Sequence, residues 1–459
     1  VLRVKKSGTE DGLQIAAVVR SESFEIATGP SDRFPTDVLH RLRRLRIALA
    51  MPLLLLGACK GDTIKPGNPL PTLSDVYPGV VTSGGSGITL TVIGDGFINE
   101  SHAQWNGSDR PTMVEGPTRL TVQLTAQDIA TVGEGHLTVG NPPPGGGSQQ
   151  PVTVPIRPPI QGDPHIVVRT LYAAHRPRSI ATANGIFYVA QMDGRSAMKG
   201  TVSITTEGTV APVSVAADQP VDVAIDPSGT RAYTANQSGR SVSIIGMNAN
   251  PTLADSLSGA IPLPDQAAKL RISADGARLY VSTVEGHVFV VDAGTRQIVA
   301  TVAVNPNAYG MALDAQNKKL YVSSRNGPVS AIDLSTNQVV RSYAVAAGSE
   351  RIVLSTDGST LYVAGQSGLE IIDVAAGTST RFPGLPTGAM GLSLFRSDTQ
   401  LLVSFPGSGV LDIVDVPTRT VTHTLTNMGL VDDVLYTSFS DLALVADEYG
   451  RVFVLRFFF

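Results

Sequence analysis

The hydrophobic and polar positions between residues 165 and 459 repeat one short pattern. An apolar run with an aromatic second position, Lys319-Leu320-Tyr321-Val322-Ser323, returns as Phe187-Tyr188-Val189-Ala190, Ala232-Tyr233-Thr234-Ala235, Leu279-Tyr280-Val281-Ser282 and Leu361-Tyr362-Val363-Ala364. Weaker copies are Leu401-Leu402-Val403-Ser404 and Ala443-Leu444-Val445-Ala446. The anchor positions 188, 233, 280, 321, 362, 402 and 444 are spaced by 45, 47, 41, 41, 40 and 42 residues. A period of that length holds four strands and belongs to propeller blades, whereas helical repeats of the common kinds run to about 33–34 residues. Seven copies predict seven blades.

One repeat shows the reading. Met311–Asp314 is expected as strand a, Leu320–Ser323 as b, Val329–Asp333 as c and Gln338–Tyr343 as d, with turns between them. Asp–Gly pairs at 275–276 and 357–358, and Asp226-Pro227-Ser228-Gly229, give the a–b hairpins. The aspartates 292, 333, 373 and 415 end strand c; they are expected to close local turns onto backbone N–H groups, one per blade and too far apart to share an ion. The last repeat runs out after its third strand. The stretch 166–172 reads like a strand d and is expected to complete blade 7.

Upstream, residues 74–156 carry shorter alternating runs: Ile88–Ile93, Ala103–Trp105, Leu120–Leu124, His136–Val139 and Val152–Ile156, separated by Gly/Pro turns. Strands at that spacing predict a sandwich. Residues 157–164 are its linker to the propeller. The fold class is therefore all-β, an immunoglobulin-like sandwich followed by a seven-bladed β-propeller.

Composition agrees with this. Charged residues are 16% of the chain, below the usual quarter, while Gly (46) and Pro (30) are plentiful. A net charge of −4 gives no electrostatic footprint for nucleic acid, which needs a clustered basic surface. A single cysteine excludes an intrachain disulfide and a cysteine metal cluster.

That cysteine ends a recognisable run. Arg41-Leu42-Arg43-Arg44-Leu45-Arg46 is followed by the apolar stretch from Ile47 to Leu56 and then by Gly57-Ala58-Cys59. A basic region, a short apolar region and small residues describe an export signal, and the run is too short to span a bilayer. Leu56-Gly57-Ala58-Cys59 resembles the bacterial lipobox. The resemblance implies lipidation at Cys59, removal of residues 38–58, and an exported protein anchored at the outer membrane or cell surface. Residues 1–37 lack export character and are expected to be a disordered upstream extension outside the true gene, with Val38 as the start. Residues 60–73 are a Gly/Pro-rich tether.

Two further resemblances follow from quoted residues. Tyr77-Pro78, Gly84-Gly85, Gly94-Asp95-Gly96-Phe97, Trp105-Asn106-Gly107 and Val139-Gly140-Asn141-Pro142 make the sandwich similar to the IPT/TIG domain. That family implies a spacer or protein-contact module without catalytic residues. The Leu-Tyr-Val-Ser and Asp-Gly words resemble the YVTN propeller repeats of prokaryotic surface and exported proteins.

Chemistry is sparse. The seven histidines (40, 102, 136, 165, 175, 287 and 423) show no paired metal-ligand spacing, and no nucleophile elbow or phosphate loop is present. No cofactor and no metal are expected. The candidate positions lie eleven residues before each anchor, where strand a meets the central channel: Asp222, Lys269, Gly310, Arg351, Gly391 and Asp433, with Ser179 in blade 1. Ser179, Asp222, Lys269, Arg351 and Asp433 could hold a polar ligand or form a solvated rim of paired charges. Arg176, Arg178, Tyr309 and Glu350 are lesser candidates on neighbouring loops. The expected function is non-catalytic: a binding or structural module for a protein or envelope polymer, attached to the membrane through Cys59. The alternative is a propeller enzyme of lactonase or quinone-dependent dehydrogenase type that uses the channel.

Overall fold

The structure is a computed structural model that describes residues 67–459 except 173–175, 184, 193–195, 202–209, 215–218, 249–254, 317, 347, 438–440 and 459. The expected upstream extension, the signal with Cys59 and the first half of the tether lie outside the described residues. Among the described residues no helix is long and apolar enough to cross a membrane.

The first part is a two-sheet sandwich. One sheet orders Thr72–Tyr77, Ile88–Asp95, Arg119–Leu124 and Thr112–Gly116. The other runs Val81–Thr82, Val152–Arg157, Gly133–Asn141, His102–Trp105 and Ser108–Arg110, with Gly147–Ser148 also pairing with Gly133–Asn141. Alternation along these strands puts Leu90, Val92, Leu120, Val122, Leu137 and Val139 into one core around Trp105. Trp105 is buried, as expected of a core residue, and a Cβ at Gly135 would collide with its ring. Gly135 is the space that the indole fills.

Seven four-stranded antiparallel sheets follow. Their innermost strands a are Pro177–Ala183, Pro220–Ile225, Ala267–Ile272, Ala308–Asp314, Ser349–Leu354, Leu392–Phe395 and Val431–Thr437. Each strand a touches that of the next blade, and the seventh touches the first, so the sheets form a closed ring. Blade 7 takes its outer strand from upstream: Ile166–Tyr172 pairs antiparallel with Arg451–Phe457 over seven residues. The ring is thus fastened by both ends of the domain, and Arg451–Phe457 is not left as an unpaired edge.

The repeated Leu-Tyr-Val-Ser strand explains the packing. Side chains alternate, so Leu320 and Val322 point into the cluster shared with blade 3, while Tyr321 points into the cluster shared with blade 5. Leu279, Val281 and Tyr280 divide in the same way one blade earlier, and Leu361, Val363 and Tyr362 one blade later. Separate apolar clusters fill the seven interfaces, from blades 1 and 2 round to blades 7 and 1. No blade buries both faces without its neighbours.

The strand-c aspartates close turns. Asp292 Oδ1 accepts from Thr295 N (2.8 Å), Asp333 Oδ1 from Ser335 N (2.8 Å), Asp373 Oδ1 from Ala376 N (2.7 Å) and Asp415 Oδ1 from Thr418 N (2.9 Å). The sandwich and ring are joined by a linker that lies on blade 6. Gln161 and Thr426 exchange backbone hydrogen bonds of 3.2 and 2.7 Å, and Asn427 Nδ2 donates to Pro159 O (3.0 Å). The Arg157 guanidinium stacks 4.5 Å from the centre of the Tyr449 ring.

Candidate functional site

The seven inner strands surround a cavity of about 540 Å³. Ser179, Lys269, Arg351 and Asp433 line it, and Asp222 stands behind Lys269 with Oδ1 3.2 Å from the ammonium. All five candidate positions come together, because each pairs with the residue two after the anchor of its own blade and so falls at the same height on its inner strand. Aliphatic walls complete the cavity, among them Ile180, Val223, Met311, Ile352 and Leu392.

The charges are paired and buried, not solvated. Lys269 and Asp222 are each 1% exposed, Arg351 6% and Asp433 7%. Arg351 bridges Asp433 (3.0 Å) and Asp432 (3.2 Å), and donates to the carbonyls of Asp432 (3.0 Å) and Arg178 (2.9 Å). Arg178 reaches Asp432 (2.8 Å) and Glu448 (2.6 Å), and Arg176 lies 3.4 Å from Glu448. Glu350 pairs with Arg325 at 3.0 Å. Tyr309 lies between two cations, Arg325 at 4.3 Å and Lys269 at 5.3 Å from its ring centre. The lesser candidates therefore belong to this network. Asp432, Arg271, Arg325 and Glu448 belong to it too, and counting back from the anchor at a single offset misses them.

Isolated charges could not survive at this depth, since burying an unpaired ion costs several kcal/mol. Burial pushes the Asp222 carboxyl up, yet Lys269, Arg271, the Ser179 hydroxyl and the Leu270 N–H together hold it below the ordinary carboxylate range. Lys269 lies below the usual lysine value, through burial first and Arg351 second, against the pull of Asp222, Asp433 and Asp432. Arg351 is driven higher still: burial opposes its charge, but Asp433 and Asp432 outweigh it.

The same side chains sew neighbouring blades together. Asp222 Oδ2 accepts from Leu270 N of blade 3 (2.7 Å), and Asp433 Oδ2 from Ile180 N of blade 1 (3.0 Å). In blades 4 and 6 the position is glycine, and a serine of strand b replaces the carboxylate. Ser323 Oγ accepts from Gly310 N (2.9 Å) and donates to Glu350 O of blade 5 (2.8 Å). Ser404 Oγ accepts from Gly391 N (2.7 Å) and donates to Val431 O of blade 7 (3.1 Å). A Cβ at Gly310 would stand 2.7 Å from Ser323 Oγ, and one at Gly391 2.8 Å from Ser404 Oγ. Glycine makes room for the substitute bridge.

The carboxylates beside the cavity are already engaged. Asp433 is engaged by Arg351, Ile180 N and Val434 N. The carboxyls raised by burial, Asp255, Asp412 and Asp447, do not line the cavity. Arg271 is the more exposed cation at the cavity, tied to Met311 O (3.0 Å) and Leu270 O (2.7 Å).

One group escapes reading by spacing altogether. Asp163 and His165 of the linker meet His423 of blade 6. The two histidines are 258 positions apart (423 − 165), so no local motif announces them.

No protein-family model matches the sequence, and no curated protein matches it. Among solved structures the chain is similar to Kuenenia stuttgartiensis hydrazine synthase, with 18% identity and a TM-score of 0.54, covering 61% of this chain and 95% of that one. The likeness is one of fold: the chain is an all-β protein with a propeller of four-stranded sheets.

Proposed function

We propose that the chain is an exported, lipid-anchored binding protein and not an enzyme. Cys59 of the lipobox-like run carries the anchor, the sandwich is a spacer of IPT/TIG type, and the YVTN-like ring presents its blade loops to a protein or envelope polymer. The observation that carries this reading is the engagement of the channel charges. Asp222, Lys269, Arg351 and Asp433 are spent on one another and on neighbouring backbones, which is the work of holding seven blades in a ring. The cavity supports a second reading, because about 540 Å³ lies within the range of small-molecule pockets, roughly 300–1,000 Å³. That reading is the propeller enzyme of lactonase or quinone-dependent dehydrogenase type.

Two measurements test the proposal. In a bacterial host fed labelled palmitate, the wild type should carry label in the envelope fraction and Cys59→Ser should not; equal labelling overturns the anchor. Capture of envelope components should survive the folded double variant Asp222→Asn/Lys269→Met. Turnover of lactones or dye-linked oxidation of alcohols by the wild type, abolished in that variant, would replace the binding reading by the enzymatic one.

A further inference from the structure

The linker–blade 6 junction holds a set of side chains that the channel does not use. One ligand atom from each of Asp163, His165 and His423 lies within 4.8 Å of the other two. The Asp163 carboxylate is in the middle. Its Oδ1 accepts from His165 N (2.8 Å) and is 2.7 Å from His165 Nδ1, a hydrogen-bond contact that has to lengthen when both groups ligate one ion. Its Oδ2 is 3.7 Å from His423 Nε2. That gap is too long for a hydrogen bond. It is close to the separation of two ligands on one tetrahedral ion, about 3.4 Å when each lies about 2.0–2.2 Å from the metal.

Backbone contacts bring the segment that carries Asp163 and His165 up to His423. The Gln161–Thr426 bridge sets the linker beside blade 6 two residues before Asp163 and three after His423. Gly162 allows that approach, since a Cβ there would run into Leu425 Cδ2. Leu425 is fully buried at the end of Thr420–Leu425, the strand that carries His423. His423 and Asp163 side chains are 15% and 24% exposed, and His165 is 62% exposed. The set is therefore partly sheltered, with one side open to solvent.

We propose that Asp163, His165 and His423 bind a divalent transition-metal ion of the zinc class and so clip the inter-domain linker to blade 6. Two imidazoles and one carboxylate suit zinc and its neighbours; calcium and magnesium require oxygen ligands. Three protein ligands leave a coordination position for water. His165 directly precedes the closing strand Ile166–Tyr172, so the ion would also hold the start of the strand that completes blade 7.

The test uses the full chain without a polyhistidine tag, stripped with chelator, at about pH 7.5. Cobalt(II) should bind at one equivalent with visible d–d absorption, zinc(II) should displace it, and zinc should raise the thermal midpoint. His165→Ala and His423→Ala should each weaken binding at least tenfold, whereas His136→Ala, an exposed histidine of the sandwich, should leave it unchanged. His423→Gln serves in place of the alanine variant if that one fails to fold. Absence of saturable binding up to millimolar metal overturns the proposal. So does binding that persists in both linker-site variants, or that is lost equally in His136→Ala.

Discussion

The sandwich and the ring bury opposite things at their centres. The sandwich closes on one apolar cluster around Trp105, and its half-buried ion pair, Arg110 with Asp128, stands at the margin. The ring places its apolar clusters between blades and buried ion pairs such as Lys269–Asp222 and Arg351–Asp433 near the axis. Geometry accounts for the difference. Two facing sheets can share one dry layer. Seven inner strands meeting around an axis have no facing layer, so each must be bonded sideways to the next. Carboxylates do this by accepting a neighbour's N–H, and serines do it where glycine lets them. Sheet closure in the sandwich is apolar and local; in the ring it is polar and distributed.

The strongest way to break this contrast is to open the ring. Deleting residues 166–172 leaves Arg451–Phe457 as an unpaired edge and removes Ile166 and Leu171 from two interface clusters. The propeller should lose its single cooperative thermal transition in calorimetry, because interface terms hold each blade. The sandwich should keep its own transition. Trp105 is the only tryptophan, so fluorescence reads the sandwich alone. An unchanged calorimetric profile would show that the ring does not depend on this strand.

Next in size is the axis. Arg351→Met strands Asp433 without its cation, leaves Asp432 with Arg178 alone, and should destabilise the propeller by about 3–5 kcal/mol. Denaturant midpoints read by far-UV circular dichroism would check this, with Trp105 fluorescence unmoved. Replacing both members of the other pair, Lys269→Met with Asp222→Asn, should cost less than Lys269→Met alone, since the asparagine still accepts from Leu270 N and no buried charge is orphaned. If the double variant is worse than the single one, the pair contributes more than mutual neutralisation.

Gly310→Ala is a smaller and sharper test. An alanine in a strand usually gains a little stability over glycine. Here its Cβ would press on Ser323 Oγ and the Glu350 carbonyl, the two atoms that join blade 4 to blade 5. The expected loss is about 1–3 kcal/mol. A gain would mean that the serine bridge is dispensable.

The sequence makes the ring legible because its packing is periodic. Tyr321 and its counterparts alternate with Leu and Val at period two, and the 40–47-residue step repeats that alternation seven times. The convergence of Ser179, Asp222, Lys269, Arg351 and Asp433 follows from the same counting. Their mutual pairing does not, because it depends on which blades happen to be neighbours across the axis. Arg351 of blade 5 reaches Asp432 and Asp433 of blade 7, past the glycine of blade 6. Asp163, His165 and His423 were invisible for a related reason: the linker's course over blade 6 is set by a backbone bridge, and no residue pattern encodes it.

The smallest effect lies in the sandwich and is set by pH. Asp128 accepts from Arg110 Nε (2.7 Å) and from Thr125 N and Oγ1 (2.8 Å each). Arg110 foremost, with the two Thr125 bonds, lowers its carboxyl to about 2 against the opposition of burial. Unfolded, the group titrates near 3.9. A carboxylate depressed in the folded state contributes stability above its unfolded value, and that contribution is lost as pH falls through the folded one. The Arg110–Asp128 contribution should therefore be full above about pH 5 and largely gone by about pH 2. Asp128→Asn should lower the sandwich midpoint, read by Trp105 fluorescence, by the equivalent of about 1–2 kcal/mol at pH 7, and the gap to wild type should close on acidification. The other carboxylates titrate in both proteins and cancel in the difference. A gap that stays constant from pH 7 to pH 2.5 would mean that Asp128 acts through its Thr125 turn and not through its charge. The sandwich would then hold no ion pair of consequence, and the contrast with the charged axis of the ring would be complete.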